Sequence, residues 1–426
     1  MKQYDVIIVG GGPSGMMAAI SAASLGAKTL VIEKNKVIGK KLLATGGGRC
    51  NVTNKRDIKD VIAHIPGNGK FLYSAFNEFN NYDIIDFFES RGVVLKEEDH
   101  GRMFPISNTS KTIVDTLTKE MKDLNVSLKY QKAVKGIRFE KQNLIEIVLE
   151  DEEVLKTKSV IIACGGRAAP ATGSSGDGYK WVKKVGHTIE KLYPTEVPIL
   201  SNEPFIKEGI LMGLSLRDAA LSVLNTKEKE IVKHQMDVIF THFGVSGPAA
   251  LRCSMFINQI MDKEKVDKVQ MKLDVLPTHQ STQLFHTLTC LQKEQGNKSI
   301  KNILKTMIPE RYVVFLLKQL KIDAQMAMKS LHKIQIENII TNIKNFRFYV
   351  HGTQPIENAF VTGGGISIKE VYPKTMASKL VDGLYFAGEI LDINGYTGGY
   401  NITAAFATGY VAGKHAAMHS MANDES

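Results

Sequence analysis

The sequence predicts an α/β protein: a Rossmann-like nucleotide-binding domain interrupted by an inserted β domain, which itself carries a helical piece. Three observations point there. A strand, a glycine turn, a helix and a second strand follow one another within the first 33 residues. A second glycine-ended strand and small-residue helix recur near the C-terminus. Between them the texture changes twice, first to short alternating strands and then to lysine-rich helical periodicity.

The opening unit reads element by element. Residues 4–9 are an apolar run, and Gly10-Gly11-Gly12-Pro13-Ser14-Gly15 follows it. Small residues at 14–25 suit a helix packed closely on its neighbours, and 28–32 form the next strand. Gly10, Gly12 and Gly15 have the G-x-G-x-x-G spacing. The first glycine allows the tight turn, the second lets a pyrophosphate approach the backbone, and the third lets the helix pack on the strand. The helix start offers free N–H groups and the positive end of its dipole to phosphate. Glu33 ends the second strand 18 residues after Gly15, placed to accept both ribose hydroxyls and so to disfavour a 2′-phosphate.

Further along, residues 160–166 and 383–388 are strands that end in glycine, the latter followed by Glu389. A small-residue helix is expected over about 401–415. From about 195 to 276 short stretches such as 236–240 and 269–276 alternate with turns, suggesting antiparallel β structure. Residues 277–345 become helical, with segments such as 303–307 and 313–320, and 346–350 and 359–362 read as strands again. Gly363-Gly364-Gly365 is followed by Ile-Ser-Ile-Lys, which reads as a strand and not as a phosphate-binding helix. No second nucleotide fingerprint opens a separate NAD(P)H domain.

Composition narrows the function classes. A chain of 426 residues allows two or three domains, and 43% hydrophobic with 23% charged residues fits a folded globular protein. The four cysteines, Cys50, Cys164, Cys253 and Cys290, form no C-x-x-C pair, so neither a zinc knuckle nor an iron–sulfur run nor a redox dithiol is indicated. No metal is expected. The apolar stretch 6–32 is interrupted by glycines and ends at Glu33 and Lys34 without a cleavage signal, which reads as buried structure and not as an export signal. No membrane span is expected, and a reduced, cytoplasmic setting is the natural reading. The net charge is +10, and +6 of it falls between Cys290 and Asn345. That segment, with Lys298, Lys301, Lys305, Arg311, Lys318 and Lys321, could lie on a phosphate backbone or be a solvated helical face.

The glycine turn alone does not separate FAD from NAD. The distributed set does: Ala163 and Gly165 return the backbone to the nucleotide, and Gly388 and Glu389 suit a ribityl or ribose hydroxyl. Thr397-Gly398-Gly399-Tyr400-Asn401 begins a helix whose N–H groups face a flavin pyrimidine edge. A nicotinamide has no ribityl chain to occupy such a set. FAD is the expected cofactor.

These motifs resemble a flavoprotein family of the two-dinucleotide-binding-motif superfamily, the YhiN/BaiN-like or aminoacetone-oxidase-like FAD proteins. The resemblance covers nearly the whole chain. It is carried by Gly10 to Gly15, by the long stretch from Gly39 to Asn51 (Gly-Lys-Lys-Leu-Leu-Ala-Thr-Gly-Gly-Gly-Arg-Cys-Asn), and by Gly101-Arg102-Met103-Phe104-Pro105. Thr241-His242-Phe243-Gly244-Val245-Ser246-Gly247-Pro248, Gly363-Gly364-Gly365 and the stretch from Gly388 to Asn401 complete it. The resemblance implies an FAD domain (1–194 and 355–426) split by a β-barrel (195–276 and 346–354) that carries a basic helical subdomain (277–345). It implies further that Lys34, Lys41, Thr45, Gly46, Gly47, Arg49, Cys50, Asn51 and Ile402 line the cofactor, and that Val134 presents backbone groups to adenine. Arg49 also has a physical rationale, since a guanidinium can fork onto phosphate or flavin carbonyl oxygens.

Three residues are candidates for a proton: His242, Cys50 and Tyr400. Each has a bland counterpart, respectively a turn-bracing histidine, a small buried thiol and a stacked wall. The family's members are associated with amine oxidation, with reduction of conjugated C=C bonds in steroid-like molecules and with reduction of uridine to dihydrouridine in ribosomal RNA. The basic segment favours the RNA uridine reading, with NADH or NADPH as a transient electron donor. A small-molecule amine oxidase, a steroid-like ene-reductase and a non-enzymatic, FAD-stabilised RNA-binding factor are the alternatives.

Overall fold

The structure is a computed structural model and describes residues 3–139 and 144–422. The chain divides into two units, one of residues 1–193 and 360–426 and one of residues 194–359.

The first unit is built on a seven-stranded sheet. Its strands are β1 (Gln3–Val9), β2 (Thr29–Glu33), β3 (Ser127–Tyr130), β4 (Val134–Phe139), β5 (Ile145–Leu149), β6 (Val154–Ile162) and β7 (Leu384–Phe386). The order is β3-β2-β1-β6-β5-β4, with β7 also on β6. β3, β2, β1, β6 and β7 run parallel, while β5 and β4 add an antiparallel hairpin. Parallel strands are covered on both faces and therefore read as continuous apolar runs. Ile7, Ile8, Leu30, Val31, Val160 and Ile161 are accordingly all fully buried.

Two helices cover this sheet, α1 (Pro13–Ser24) and α2 (Tyr400–Ala422). They pack on each other through small residues. An added Cβ at Gly409 would run into the carbonyl oxygen of Ser14, and one at Gly413 into that of Ala18. Backbone here meets backbone, which explains why both helices are poor in bulky side chains. Ser420 Oγ donates to Asp5 O at 2.8 Å, tying the end of α2 to the start of β1.

The glycine triplet Gly363-Gly364-Gly365 lies inside the strand Val361–Ile366, and the following residues form a 3-10 turn, Ile368–Glu370. This corrects the expectation that a strand follows the triplet. Gly364 (φ +79°) and Gly365 (φ +139°) are needed because a Cβ at either would collide with the backbone of Lys191 or Leu391. Sequence alone does not reveal so close a crossing.

The second unit holds an antiparallel sheet ordered Phe346–Val350, Val269–Asp274, Ser215–Leu224, Glu230–Phe240, Gly244–Ser246, Ile199–Leu200 and Gly352–Thr353. Both terminal strands belong to one stretch, 346–353. Its successive parts address opposite ends of the order: Phe348 faces Met271, whereas His351 N–H donates to Leu200 O at 3.0 Å. Helices Ser281–Glu294, Ile300–Leu304, Glu310–Gln319 and Lys333–Lys344 share the core of that sheet. Phe315 packs on Phe205 and Phe346 with ring centres 5.3 and 5.5 Å apart. Among the described residues no helix is long and apolar enough to cross a membrane.

Candidate functional site

The glycine turn sits at the carboxyl end of β1. Gly10 has φ +108°, and a Cβ there would lie 2.6 Å from Ala163 O and 2.8 Å from Cys164 Cα. Gly15 is equally closed, against the Gly10 carbonyl. Gly12 differs, because nothing lies within 4 Å of its added Cβ. It is the N-cap of α1 and supplies no side chain, Pro13 has no N–H, and the first-turn N–H groups of Ser14 and Gly15 have no intrahelical acceptor. The result is a bare helix start facing open space, the arrangement that accepts phosphate oxygens.

Glu33 fixes the neighbouring edge. Its Oε2 accepts from Gly11 N–H at 2.9 Å, and its Oε1 from Asn35 N–H at 2.8 Å and Asn35 Nδ2 at 2.7 Å. Oε2, with one donor, keeps a second lone pair for a ribose hydroxyl, whereas Oε1 is filled by Asn35. Lys132 and Gln131, just before β4, donate backbone N–H groups to Glu33 O (3.1 Å) and Asn35 O (3.2 Å). Val134, the first residue of β4, follows two residues after Lys132 and pairs with Leu149. Lys34 pairs with Asp177 at 2.7 Å and with the Ser175 hydroxyl.

A second group of loops comes together from both ends of the chain. Lys41 Nζ meets Glu389 Oε2 at 2.5 Å, and Glu389 Oε1 accepts from Thr362 N–H at 2.9 Å. Gly388 N–H donates to Thr408 Oγ1 at 3.0 Å, and a Cβ at Gly388 would meet Ser14 Oγ at 2.5 Å. A Cβ at Gly165 would meet Ser174 Oγ at 2.7 Å. Gly46, Gly47, Gly48 and Cys50 all have positive φ, and Gly47 and Gly48 face open space. Thr45 braces this loop by donating to Leu42 O at 2.6 Å and by accepting Cys50 N–H on its carbonyl at 3.1 Å. Arg49 pairs with Glu98 at 2.8 Å and lies 4.2 Å over the Phe104 ring. Beside that guanidinium, the Glu98 carboxyl titrates below its usual range.

Loop 46–51 abuts the turn before α2. A Cβ at Gly399 would lie 2.6 Å from Thr53 O and 3.1 Å from Asn51 Oδ1. Asn54 Nδ2 donates to Gly398 O at 3.0 Å, and Thr53 Oγ1 bonds Thr403 Oγ1 at 2.7 Å. Asn51 Oδ1 and both amide atoms of Asn394 are buried without a hydrogen-bond partner. Orphaned buried polar atoms point to a missing group at such a site. With the open ground at Gly12, Gly47 and Gly48, these residues fit a dinucleotide that continues past the pyrophosphate toward α2.

The expected proton donors fare differently. Cys50 is fully buried, and burial pushes its thiol up to about 12, against a smaller opposing effect of the Thr45 hydrogen bond. Tyr400 is also buried, with its ring stacked on His64 at 4.7 Å. His64, whose Nδ1 lies 2.7 Å from Asp60 O, carried no sequence signal. Asn401 uses its side chain internally, accepting from Gly395 N–H (2.8 Å) and donating to Gly395 O (2.7 Å), while the adjacent Ile402 is half-buried. His242 belongs to the other unit. It is exposed on the turn after Glu230–Phe240, edge-on to Phe243 at 4.9 Å. Thr241, not His242, braces that turn, accepting from Phe243 and Gly244 N–H groups.

The basic segment is less open to phosphate than its charge suggests. Arg311 donates to the carbonyls of Ile210 (2.8 Å), Met212 (2.7 Å) and Gly209 (3.3 Å), so it is a clamp within its own unit, contrary to expectation. Lys301 pairs with Glu310 at 3.0 Å, and Lys298 donates to Gln295 at 2.9 Å. Lys305, Lys318 and Lys321 are exposed. Among the described residues no cluster could hold a metal ion.

Comparison with known proteins adds the rest. The family profile described as the HI0933-like protein Rossmann domain matches residues 4–415. A 3-dehydro-bile acid delta(4,6)-reductase of Clostridium scindens is 30% identical over 413 residues, 96% of this chain and 98% of that protein. A ribosomal RNA dihydrouridine synthase of Escherichia coli is 29% identical over 411 residues, 96% and 97% of the two chains. The 3-ketosteroid delta1-dehydrogenase of Sterolibacterium denitrificans shares the fold at a TM-score of 0.52 and 13% identity, over 98% of this chain and all of that one.

Proposed function

Because the chain belongs to the HI0933-like Rossmann-domain family, we propose that it reduces a C=C bond conjugated to a carbonyl, and that uridine in ribosomal RNA is its substrate. It is an FAD-dependent oxidoreductase. The observation that carries the proposal is the end-to-end similarity to two relatives, one named a bile acid reductase and the other a ribosomal RNA dihydrouridine synthase.

FAD supplies hydride transfer when bound, and the protein supplies orientation and electrostatics. The bare start of α1 would take the pyrophosphate, and Glu33 the adenosine ribose. The Lys41–Glu389 pair would border the ribityl chain, and Gly398, Gly399 and the start of α2 would face the pyrimidine edge. Cys50 is a poor proton donor, since a thiol held at about 12 neither ionises nor gives up a proton readily near neutrality. Tyr400 and His242 are the two proton carriers left, told apart by Tyr400→Phe and His242→Asn in single-turnover reoxidation. NADH or NADPH visits the flavin transiently, and the setting is cytoplasmic.

The test compares ribosomal RNA nucleosides, by mass spectrometry, from cells with and without the gene. Loss of dihydrouridine supports the reading, and an unchanged nucleoside profile removes RNA as the substrate. Rapid reoxidation by a bile-acid enone without any RNA effect would move the substrate to the steroid-like class. Peroxide release with a simple amine would replace both.

A further inference from the structure

In the sheet, β1 lies between β2 and β6, and all three run parallel. Any segment that runs from the end of β6 to the residues after β2 therefore crosses the end of β1, where Gly10, Gly11 and Gly12 sit. Residues 164–177 make that crossing. Their base is pinned, because Arg167 and Ala168 N–H groups both donate to Thr362 Oγ1 at 2.9 Å. Polar contacts hold their tip to residues 34–40. Lys40 Nζ donates to Ala171 O at 2.7 Å, Asn35 Nδ2 to Thr172 O at 3.3 Å, and Lys34 engages both the Ser175 hydroxyl and Asp177 at 2.7 Å. Pro170, Ala171 and Ser175 are exposed, and the tip contains Gly173 (φ +109°) and Gly176 (φ +80°).

We propose that this segment is a strap over the dinucleotide, and that Lys34 and Asp177 are its latch, so that FAD enters and leaves only with the tip lifted. The inference rests on FAD occupying the glycine turn. Lys34 then acts on the cofactor through the strap and not by touching it, which separates this role from the one its sequence position suggests. The latch side chains are 33% and 41% exposed. An exposed pair adds little to global stability but is enough to bias a local opening, and it is screened by salt.

The experiment follows FAD release from the holoprotein by the rise in free-flavin fluorescence after dilution. Lys34→Met and Asp177→Asn should each speed release about three- to fivefold, the range expected for an exposed ion pair. The double variant should be no faster than either single one, and Lys34→Arg should release at the wild-type rate. Salt near 0.5 M should speed the wild type and leave the variants unchanged. Wild-type rates in both single variants would overturn the strap. So would additive effects in the double variant, which would mean two independent contacts with the cofactor. A wild-type protein that binds no flavin would overturn the assignment of the turn as well.

Discussion

Replacing Gly413 by alanine probes the contact on which the cofactor unit depends. The added Cβ would land on the carbonyl oxygen of Ala18, with Ala18 C at 2.8 Å and its Cα at 2.9 Å. These are backbone atoms of α1, so no side chain can swing aside. Ordinary carbon contacts lie near 3.5–4.0 Å, and the two helices must therefore part by about 1 Å. Overpacking costs about 1–3 kcal/mol, and against immobile backbone the upper part of that range, about 2–3 kcal/mol, applies, while alanine's better helix propensity returns about 1 kcal/mol. The net loss of about 1–2 kcal/mol corresponds to roughly 3–6 °C for a unit of this size. Heating the holoprotein while monitoring both circular dichroism and flavin fluorescence reads the effect. Flavin should appear free at the lowered temperature, because α2 also carries Gly398 and Gly399 at its start. Gly136→Ala is the control: nothing lies within 4 Å of its added Cβ, and its melting should stay at or slightly above wild type. A Gly413→Ala protein that melts within about a degree of wild type, or a control that falls as far, would refute the reasoning.

Four further outcomes are expected. Gly12→Val should leave the apoprotein's melting unchanged, since the site is open and φ is −77°, yet weaken FAD more than about tenfold in a fluorescence titration. Burial holds His187, which contacts Ser378 at 2.8 Å and Glu370 at 3.2 Å, below the ordinary imidazole value of 6.5. The unfolded chain therefore takes up this proton first, so stability is complete above 6.5, falls as pH drops toward the lowered folded value and levels off beneath it. His187→Gln should flatten that part of a melting-versus-pH series, and an unaltered slope would count against it. Arg311→Ala should cost about 1 kcal/mol of stability and leave the salt dependence of RNA binding alone. Neutralising Lys305, Lys318 and Lys321 should lower the salt slope by about 0.7 per contacted phosphate, as measured by filter binding.

What could be read from sequence follows physical range. The unit from β1 to β2 was legible because its signals are local: an apolar run, glycines at fixed spacing and an acid at the strand end. The meeting of Lys41 with Glu389, 348 residues apart, was not, nor was that of Lys34 with Asp177. Both pairs are set by strand order, which no local pattern encodes. The strand expected after Gly363–Gly365 lies instead across the triplet itself, because Gly364 and Gly365 answer to a neighbouring backbone that no local pattern reveals. Arg311 was counted as charge available to a polyanion, and only its three carbonyl partners show otherwise. His64 had no motif at all; its stacking on Tyr400 comes from a loop that pairs with residues 394–396.

The bond between Ser420 and Asp5, and the seating of α2 on α1, also set an order of events on the ribosome. Strands β1 to β6 and helix α1 are made before residues 194–359, and β7 and α2 after the whole of that stretch. The intervening unit has its full complement of residues while the earlier one still lacks the helix that covers Ser14 and Ala18. The cofactor unit must therefore wait, with that face of α1 uncovered, until residues 400–422 have been made. Retention of FAD by the nascent chain should accordingly begin only once residues 400–422 have emerged.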